Sequence, residues 1–81
     1  MTPGQCSAAR ALLGWSRYRL EGMSGLREGF IRVYETSGRA SAGYTESGAE
    51  RIAAAREAFE AAGIEFATGD GDGVTLRKFE L

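Results

Sequence analysis

The fold is decided by residues 16–37, SRYRLEGMSGLREGFIRVYETS. Ser16 is a favourable helix cap, and the residues after it predict a short helix over 16–23. Gly25 then interrupts the helical pattern, and a second short helix is predicted over 27–36. Two short helices joined by a tight turn that contains glycine form a helix-turn-helix, so we expect this motif at the centre of the fold.

The two predicted helices turn apolar residues towards a common core. In the first helix, Leu20 and Met23 share one face. In the second helix, Tyr34 is expected to face inward together with Phe30 or Ile31. The apolar face of each helix must therefore pack against other parts of the chain.

Another helix is predicted before the motif, over residues 3–13. Thr2 and Gln5 have the spacing of a capping box, and Gly14 is placed to end the helix in a left-handed conformation. Trp15 lies at the joint to the next helix and is expected to anchor the core. The residues predicted on the inward side of this helix are Cys6, Ala9, Leu12 and Leu13.

After the motif, residues 39–46 are small and polar and predict a loop. Ser47 and Glu50 form a second capping box, and a longer helix is predicted over residues 48–62. Its predicted buried stripe consists of Ile52, Ala55, Phe59 and Ala62.

Short strands are predicted at the end of the sequence. Residues 64–66 and 74–76 alternate as strands do, and the turn residues GDGDG lie between them at 69–73. The predicted fold is mainly α, with four to five short helices containing a helix-turn-helix and then a small C-terminal β-strand or hairpin. We divide the chain into a helix-turn-helix domain, residues 1–63, and a C-terminal extension, residues 64–81, that could serve in dimerisation.

The composition excludes several kinds of site. The chain has 81 residues, no His and one Cys, so it cannot build a Cys–His zinc site, a Cys–His nucleophile pair or an internal disulfide. Cys6 is interpreted as a small core residue. Asp70 and Asp72 have the spacing that starts a calcium loop, but the other oxygen ligands are missing. We expect no enzyme activity, no metal, no cofactor and no small-molecule substrate.

Positive charge is concentrated in the first half of the chain. Residues 1–39 carry six Arg and three Glu, a net charge of +3, whereas residues 40–81 carry four basic and eight acidic residues, a net charge of −4. The first half can therefore attract a polyanion although the whole chain has a net charge of −1. No apolar run approaches the roughly 20 residues of a membrane span, so we expect a soluble, cytoplasmic protein with no membrane partner.

Three stretches carry a resemblance to a known family. Residues 8–16, AARALLGWS, resemble the first helix of the Cro/lambda-repressor-like helix-turn-helix proteins, also called the XRE family. Residues 58–66, AFEAAGIEF, are similar to the end of its last helix and the strand after it, and residues 73–78, GVTLRK, to its closing strand. The residues that occupy the family's turn and core positions are Leu20, Gly25, Leu26, Ile31, Tyr34 and Glu35.

The resemblance implies a bacterial transcriptional regulator that binds double-stranded DNA, as a homodimer, with its third helix in the major groove. Arg17 and Arg39 match positions that contact the DNA backbone. The positions that match the family's base-reading residues are Arg27, Glu28, Gly29, Arg32 and Val33. Arginine suits this role because its guanidinium can read guanine through two hydrogen bonds.

Some residues depart from the family pattern and favour an alternative. Glu21 stands where the family has a small residue, so a costly unpaired carboxylate is expected between the helices. The stretch that begins the third helix contains Glu28 and Gly29 and offers no capping side chain. The alternative is a diverged helix-turn-helix that binds a protein partner through Phe30 and Val33, as an antiactivator or antirepressor does.

Overall fold

The computed structural model describes residues 1–37, 46–67 and 73–77. These residues form α1 (Pro3–Leu13), α2 (Arg17–Ser24), α3 (Glu28–Ser37), α4 (Glu46–Ala61), β1 (Ile64–Phe66) and β2 (Val74–Leu76). The predicted fold class is confirmed, because the described chain is mainly helical and ends in a small antiparallel strand pair. Within the described ranges, no helix is both long enough and apolar enough to cross a membrane.

Local capping sets the ends of the first two helices, as predicted. The Thr2 hydroxyl accepts a hydrogen bond from the Gln5 backbone N–H at 3.1 Å, and Gln5 Oε1 accepts one from the Thr2 N–H at 2.8 Å. Ser16 Oγ caps α2 by accepting from the Arg19 N–H at 3.0 Å. Gly14 and Gly25 end these helices at φ values of +68° and +78°, a region that glycine enters without steric cost.

The core lies between the four helices and the strand pair. Phe59 of α4 is fully buried at its centre, and Trp15 stacks on it with ring centroids 5.8 Å apart. Cys6 is also fully buried, so its prediction as a core residue is confirmed, as is the packing of Trp15 against the core. The other buried apolar residues are Ala9, Leu20, Leu26, Ile31, Tyr34, Ala55, Ala58 and Ile64.

The strand pair closes one end of this core. Ile64 pairs with Leu76 and Phe66 with Val74 in antiparallel register, which is the hairpin alternative of the prediction. α1 packs against β2, and the Gln5 side-chain amide donates to the Gly73 carbonyl at 3.4 Å.

Two residues predicted to face inward are exposed instead. Leu12 is 46% exposed because the covered side of α1 runs along Cys6 and Ala9, and Leu13 lies closer to that line. Met23 is 48% exposed because the covered side of α2 runs through Leu20, Glu21 and Ser24, and Met23 lies at the margin of that side.

The start of α4 also differs from the prediction. The helix begins at Glu46, two residues before the predicted start at residue 48, so Ser47 lies in its first turn and not at a cap. Most of the predicted loop and residues 69–72 of the turn lie outside the described residues.

Candidate nucleic-acid interface

The outward side of α3 is the surface that the sequence predicted to meet a ligand. Ile31 and Tyr34 face the core, so helical geometry places Gly29, Val33 and Thr36 on the opposite side. Val33 and Thr36 are exposed, and nothing lies within 4 Å of the position that a Cβ on Gly29 would occupy. This stripe is small and open, so another molecule can approach the helix backbone closely.

Charged side chains flank the stripe at the N-terminal end of α3. Arg32 is exposed, and its Nε lies 3.5 Å from Glu28 Oε1, one helical turn earlier. Glu28 therefore partly neutralises Arg32 in the absence of a ligand. Arg27 is exposed and has no carboxylate partner within the part of the chain that the structure describes.

Arg17, predicted to contact a DNA backbone, takes part in an ion pair within the protein. Its Nε donates to Glu35 Oε1 at 3.0 Å, while about a third of the side chain stays exposed. The contact holds the N-terminal turn of α2 against α3. Arg39, the other predicted backbone contact, lies outside the described residues.

Glu35 is the centre of a buried polar network. Its side chain is 1% exposed. Arg10 donates to both carboxylate oxygens, from Nε to Oε2 at 2.7 Å and from a terminal nitrogen to Oε1 at 2.6 Å. Cys6 Sγ donates to the same carboxylate at 3.1 Å, and Arg17 supplies the fourth contact. The network joins α1, α2 and α3 and so fixes the angle at which α3 is presented.

The network shifts two titrating groups in opposite directions. Burial alone would raise the pKa of the Glu35 carboxyl, but hydrogen bonds from Arg10, Cys6 and Arg17 outweigh it, and the pKa lies below its usual range. Burial, together with the hydrogen bond to Glu35, raises the pKa of the Cys6 thiol far above its usual range. Cys6 therefore stays a neutral thiol that donates to a carboxylate.

The carboxylate of Glu21 is paired, which corrects the expectation of a costly unpaired group. Glu21 Oε2 accepts a hydrogen bond from the Glu28 backbone N–H at 2.6 Å. The first residue of α3 is thus capped by a side chain from α2, and α3 is not uncapped as its own sequence predicted.

One residue of this region, Arg51, was not singled out from the sequence. Arg51 of α4 lies over the Phe30 ring, with its guanidinium carbon 5.5 Å from the ring centroid. Both side chains line a cleft of about 370 Å³ beside the turn between α2 and α3. No sequence signal predicts this contact, because the two residues belong to helices whose relative placement depends on the whole core.

The exposed side of α2 carries apolar and aromatic surface. Tyr18 is 70% exposed, and Met23 also reaches solvent. In the described ranges no group of three or more Cys, Asp and Glu residues is placed to hold a metal ion.

Comparisons of the chain with family models, with curated proteins and with solved structures found no match.

Proposed function

We propose that this protein is a DNA-binding transcriptional regulator that inserts α3 into the major groove and works in the cytoplasm. The observation that carries the proposal is the joint between α2 and α3. The short turn through Gly25 and the buried Leu26 leaves one side of α3 uncovered, while the other side is anchored by Tyr34 and Glu35. The recognition helix of a helix-turn-helix protein meets DNA with such an uncovered side.

The charged residues of α3 suit the two kinds of contact that DNA requires. Arg27 is free to neutralise a phosphate or to read a guanine edge. Arg32 can make the same contacts once its ion pair with Glu28 breaks and its guanidinium turns to the DNA. Glu28 can then accept a hydrogen bond from a cytosine amino group. Gly29 and Val33 between them allow close approach and apolar contact with a thymine methyl group.

A homodimer is part of the proposal, because a single module of this size offers limited contact area and two-fold operators favour symmetric binding. Among the described residues β2 pairs only with β1, so a second copy could extend the sheet at the other side of β2. A sedimentation mass of one chain at tens of micromolar protein, with and without operator DNA, would contradict the dimer.

The test of DNA binding uses an arbitrary short duplex at low salt, because phosphate contacts need no knowledge of the operator. We expect backbone amide shifts in the labelled protein along residues 27–33 and at the start of α2, which fade as salt is added. Arg27→Ala and Arg32→Ala should each weaken binding and lower the salt slope by about one unit for each phosphate that is no longer neutralised. Arg56→Ala is the control, because Arg56 pairs with Glu60 on α4, away from the outward side of α3 and from β2. A spectrum unmoved at millimolar DNA would refute the proposal.

A second candidate function is binding of a protein partner. Tyr18, Met23 and Val33 are exposed on the two helices of the motif, and aromatic and methionine side chains are typical of protein interfaces. If this is the function, Met23→Ala and Val33→Ala abolish capture of the partner while Arg27→Ala and Arg32→Ala change it little. Loss of DNA binding in the arginine variants and not in Met23→Ala would favour the DNA-binding regulator.

A further inference from the structure

The cleft beside the α2–α3 turn brings two arginines together. It lies between the start of α3 and α4, and its volume is about 370 Å³. Its lining consists of Gly25, Leu26, Arg27, Gly29, Phe30 and Arg51. Two of the lining residues are glycines, which add no side chain to the cleft, and Arg27 and Arg51 are both exposed.

Neither arginine of the cleft is neutralised by a described carboxylate. The arginines that form ion pairs in the described ranges are Arg10, Arg17, Arg32, Arg56 and Arg77. Arg27 and Arg51 line the same cleft without such a partner, so the cleft carries an excess of positive charge. Like charges that share a cleft repel each other, and an anion bound between them removes the repulsion.

Phe30 places Arg51 at the cleft. The guanidinium carbon of Arg51 lies 5.5 Å from the centroid of the Phe30 ring, within the range of a cation–π contact. A guanidinium that stacks through its face keeps its N–H donors at the rim for an acceptor. Arg51 is therefore held in place before any ligand arrives.

We propose that this cleft binds a phosphate group, with Arg27 and Arg51 as its ligands and Phe30 as the residue that positions Arg51. The proposed source of the phosphate is the DNA backbone that runs beside the groove occupied by α3, so this inference rests on the proposed function. A phosphate fits because its oxygens accept bidentate hydrogen bonds from guanidinium groups. The contact would extend the interface from the helix-turn-helix to α4.

The test compares two arginines of α4 in similar settings. Arg51→Ala removes a cleft guanidinium, and Arg56→Ala removes one that stacks on Phe66 at 5.2 Å and pairs with Glu60, away from the cleft lining. Duplex affinity is measured between 50 and 200 mM salt. We expect the salt slope of the Arg51 variant to fall by about 0.9, so that wild type loses about 3.5-fold more affinity than the variant over this range. The Arg56 variant should keep the wild-type slope.

A third variant tests the positioning role of Phe30. Phe30→Leu keeps an apolar side chain at the core edge but removes the ring under Arg51. We expect weaker duplex binding with a salt slope close to that of wild type, because the Arg51 charge remains while its placement is lost. In a Phe30→Leu, Arg51→Ala double variant, the Phe30 change should cost no further affinity. Equal losses from Phe30→Leu with and without Arg51 would overturn the positioning role.

Separate outcomes distinguish the cleft from the proposed function. If wild type binds the duplex and Arg51→Ala leaves its salt slope unchanged, the DNA contact at this cleft is refuted while the proposed function stands. If wild type binds no duplex, the proposed function fails, and inorganic phosphate at millimolar concentration then tests the cleft. Saturable amide shifts at Gly29 and Phe30 that disappear in Arg51→Ala would support a phosphate site for a small ligand. Absence of those shifts would overturn the site itself.

Discussion

Glu21 in α2 accepts a hydrogen bond at 2.6 Å from the backbone N–H of Glu28, the first residue of α3. The helix-turn-helix is thus joined by a side chain as well as by its turn. The carboxylate satisfies a donor that α3 itself leaves unpaired and places a negative charge at the positive end of the helix.

Removing this cap should destabilise the protein. We expect Glu21→Ala to lower the free energy of unfolding by about 1 kcal/mol, as the loss of a helix cap typically does, and Glu21→Gln to lower it less because the amide oxygen can still accept. Urea unfolding followed by circular dichroism measures the difference. A midpoint for Glu21→Ala equal to that of wild type would show that the hydrogen bond adds nothing to stability.

The two arginines that pair with Glu35 should contribute unequally to the free energy of unfolding. Arg10 makes a bidentate contact and is mostly buried, so Arg10→Met leaves a buried carboxylate with one remaining arginine, and we expect a loss of about 3–5 kcal/mol. Arg17 makes a single contact and is more exposed, so Arg17→Ala should cost about 1 kcal/mol or less. Thermal unfolding of both variants checks the order. A larger loss from Arg17→Ala would contradict it.

The low pKa of Glu35 makes stability depend on pH. The folded protein keeps this carboxylate ionised at pH values where the unfolded chain already binds a proton. Its contribution is therefore complete above the unfolded pKa of about 4.3 and is lost as pH falls from there through the lower folded pKa. We expect the free energy of unfolding to fall less between pH 5 and pH 3 for Glu35→Gln than for wild type.

The control for this pH dependence is Glu65→Gln, which removes an exposed carboxylate paired with Arg77 at 2.7 Å. Its free energy of unfolding should vary with pH almost as that of wild type does, because exposed ion pairs contribute little to stability. If the free energy of unfolding fell equally with pH for wild type and Glu35→Gln, the assignment of the pH dependence to Glu35 would be contradicted.

Replacing either of two glycines of the motif by alanine should change the stability of the protein, in opposite directions. Gly22 lies inside α2 with open space at its Cβ position, so Gly22→Ala should stabilise the protein by about 0.5–1 kcal/mol through helix propensity. Gly25 has a φ of +78°, so Gly25→Ala should destabilise it by about 1 kcal/mol through backbone strain. The midpoint of thermal unfolding should rise for Gly22→Ala and fall for Gly25→Ala. A destabilised Gly22→Ala would mean that α2 needs glycine there for close packing.

Cys6 should be unreactive in the folded protein. Its side chain is fully buried, and the raised pKa leaves almost no thiolate at neutral pH. We expect a neutral disulfide reagent to modify Cys6 only at the rate at which the protein opens, and at once in urea. Rapid modification of the native protein, at a rate independent of added stabilising osmolyte, would contradict this.

The predictions that succeeded depend on short stretches of chain. The caps at Thr2 and Ser16 and the glycine stops at Gly14 and Gly25 involve residues within one turn of the helix end, so the sequence contains all that is needed. The start of α4 was predicted too late because Ser47 and Glu50 have the spacing of a capping box in the sequence, although the helix already includes both residues.

The candidate site was predicted only in part, for a related reason. The outward position of Arg32 and Val33 follows from helical periodicity once Ile31 and Tyr34 are assigned to the core. Whether Arg17 is free or paired does not follow from periodicity, because Glu35 reaches it from another helix.

The sequence by itself determined the mainly helical fold, the helix-turn-helix at residues 16–37 and the two strand segments, because caps, glycine positions and apolar spacing act over a few residues. Tertiary structure alone decided how the charged side chains are used. The capping of α3 by Glu21, the network around Glu35 and the placement of Arg51 over Phe30 each join different helices. Such contacts depend on the angles and distances at which helices pack around Phe59, and these are a property of the whole core.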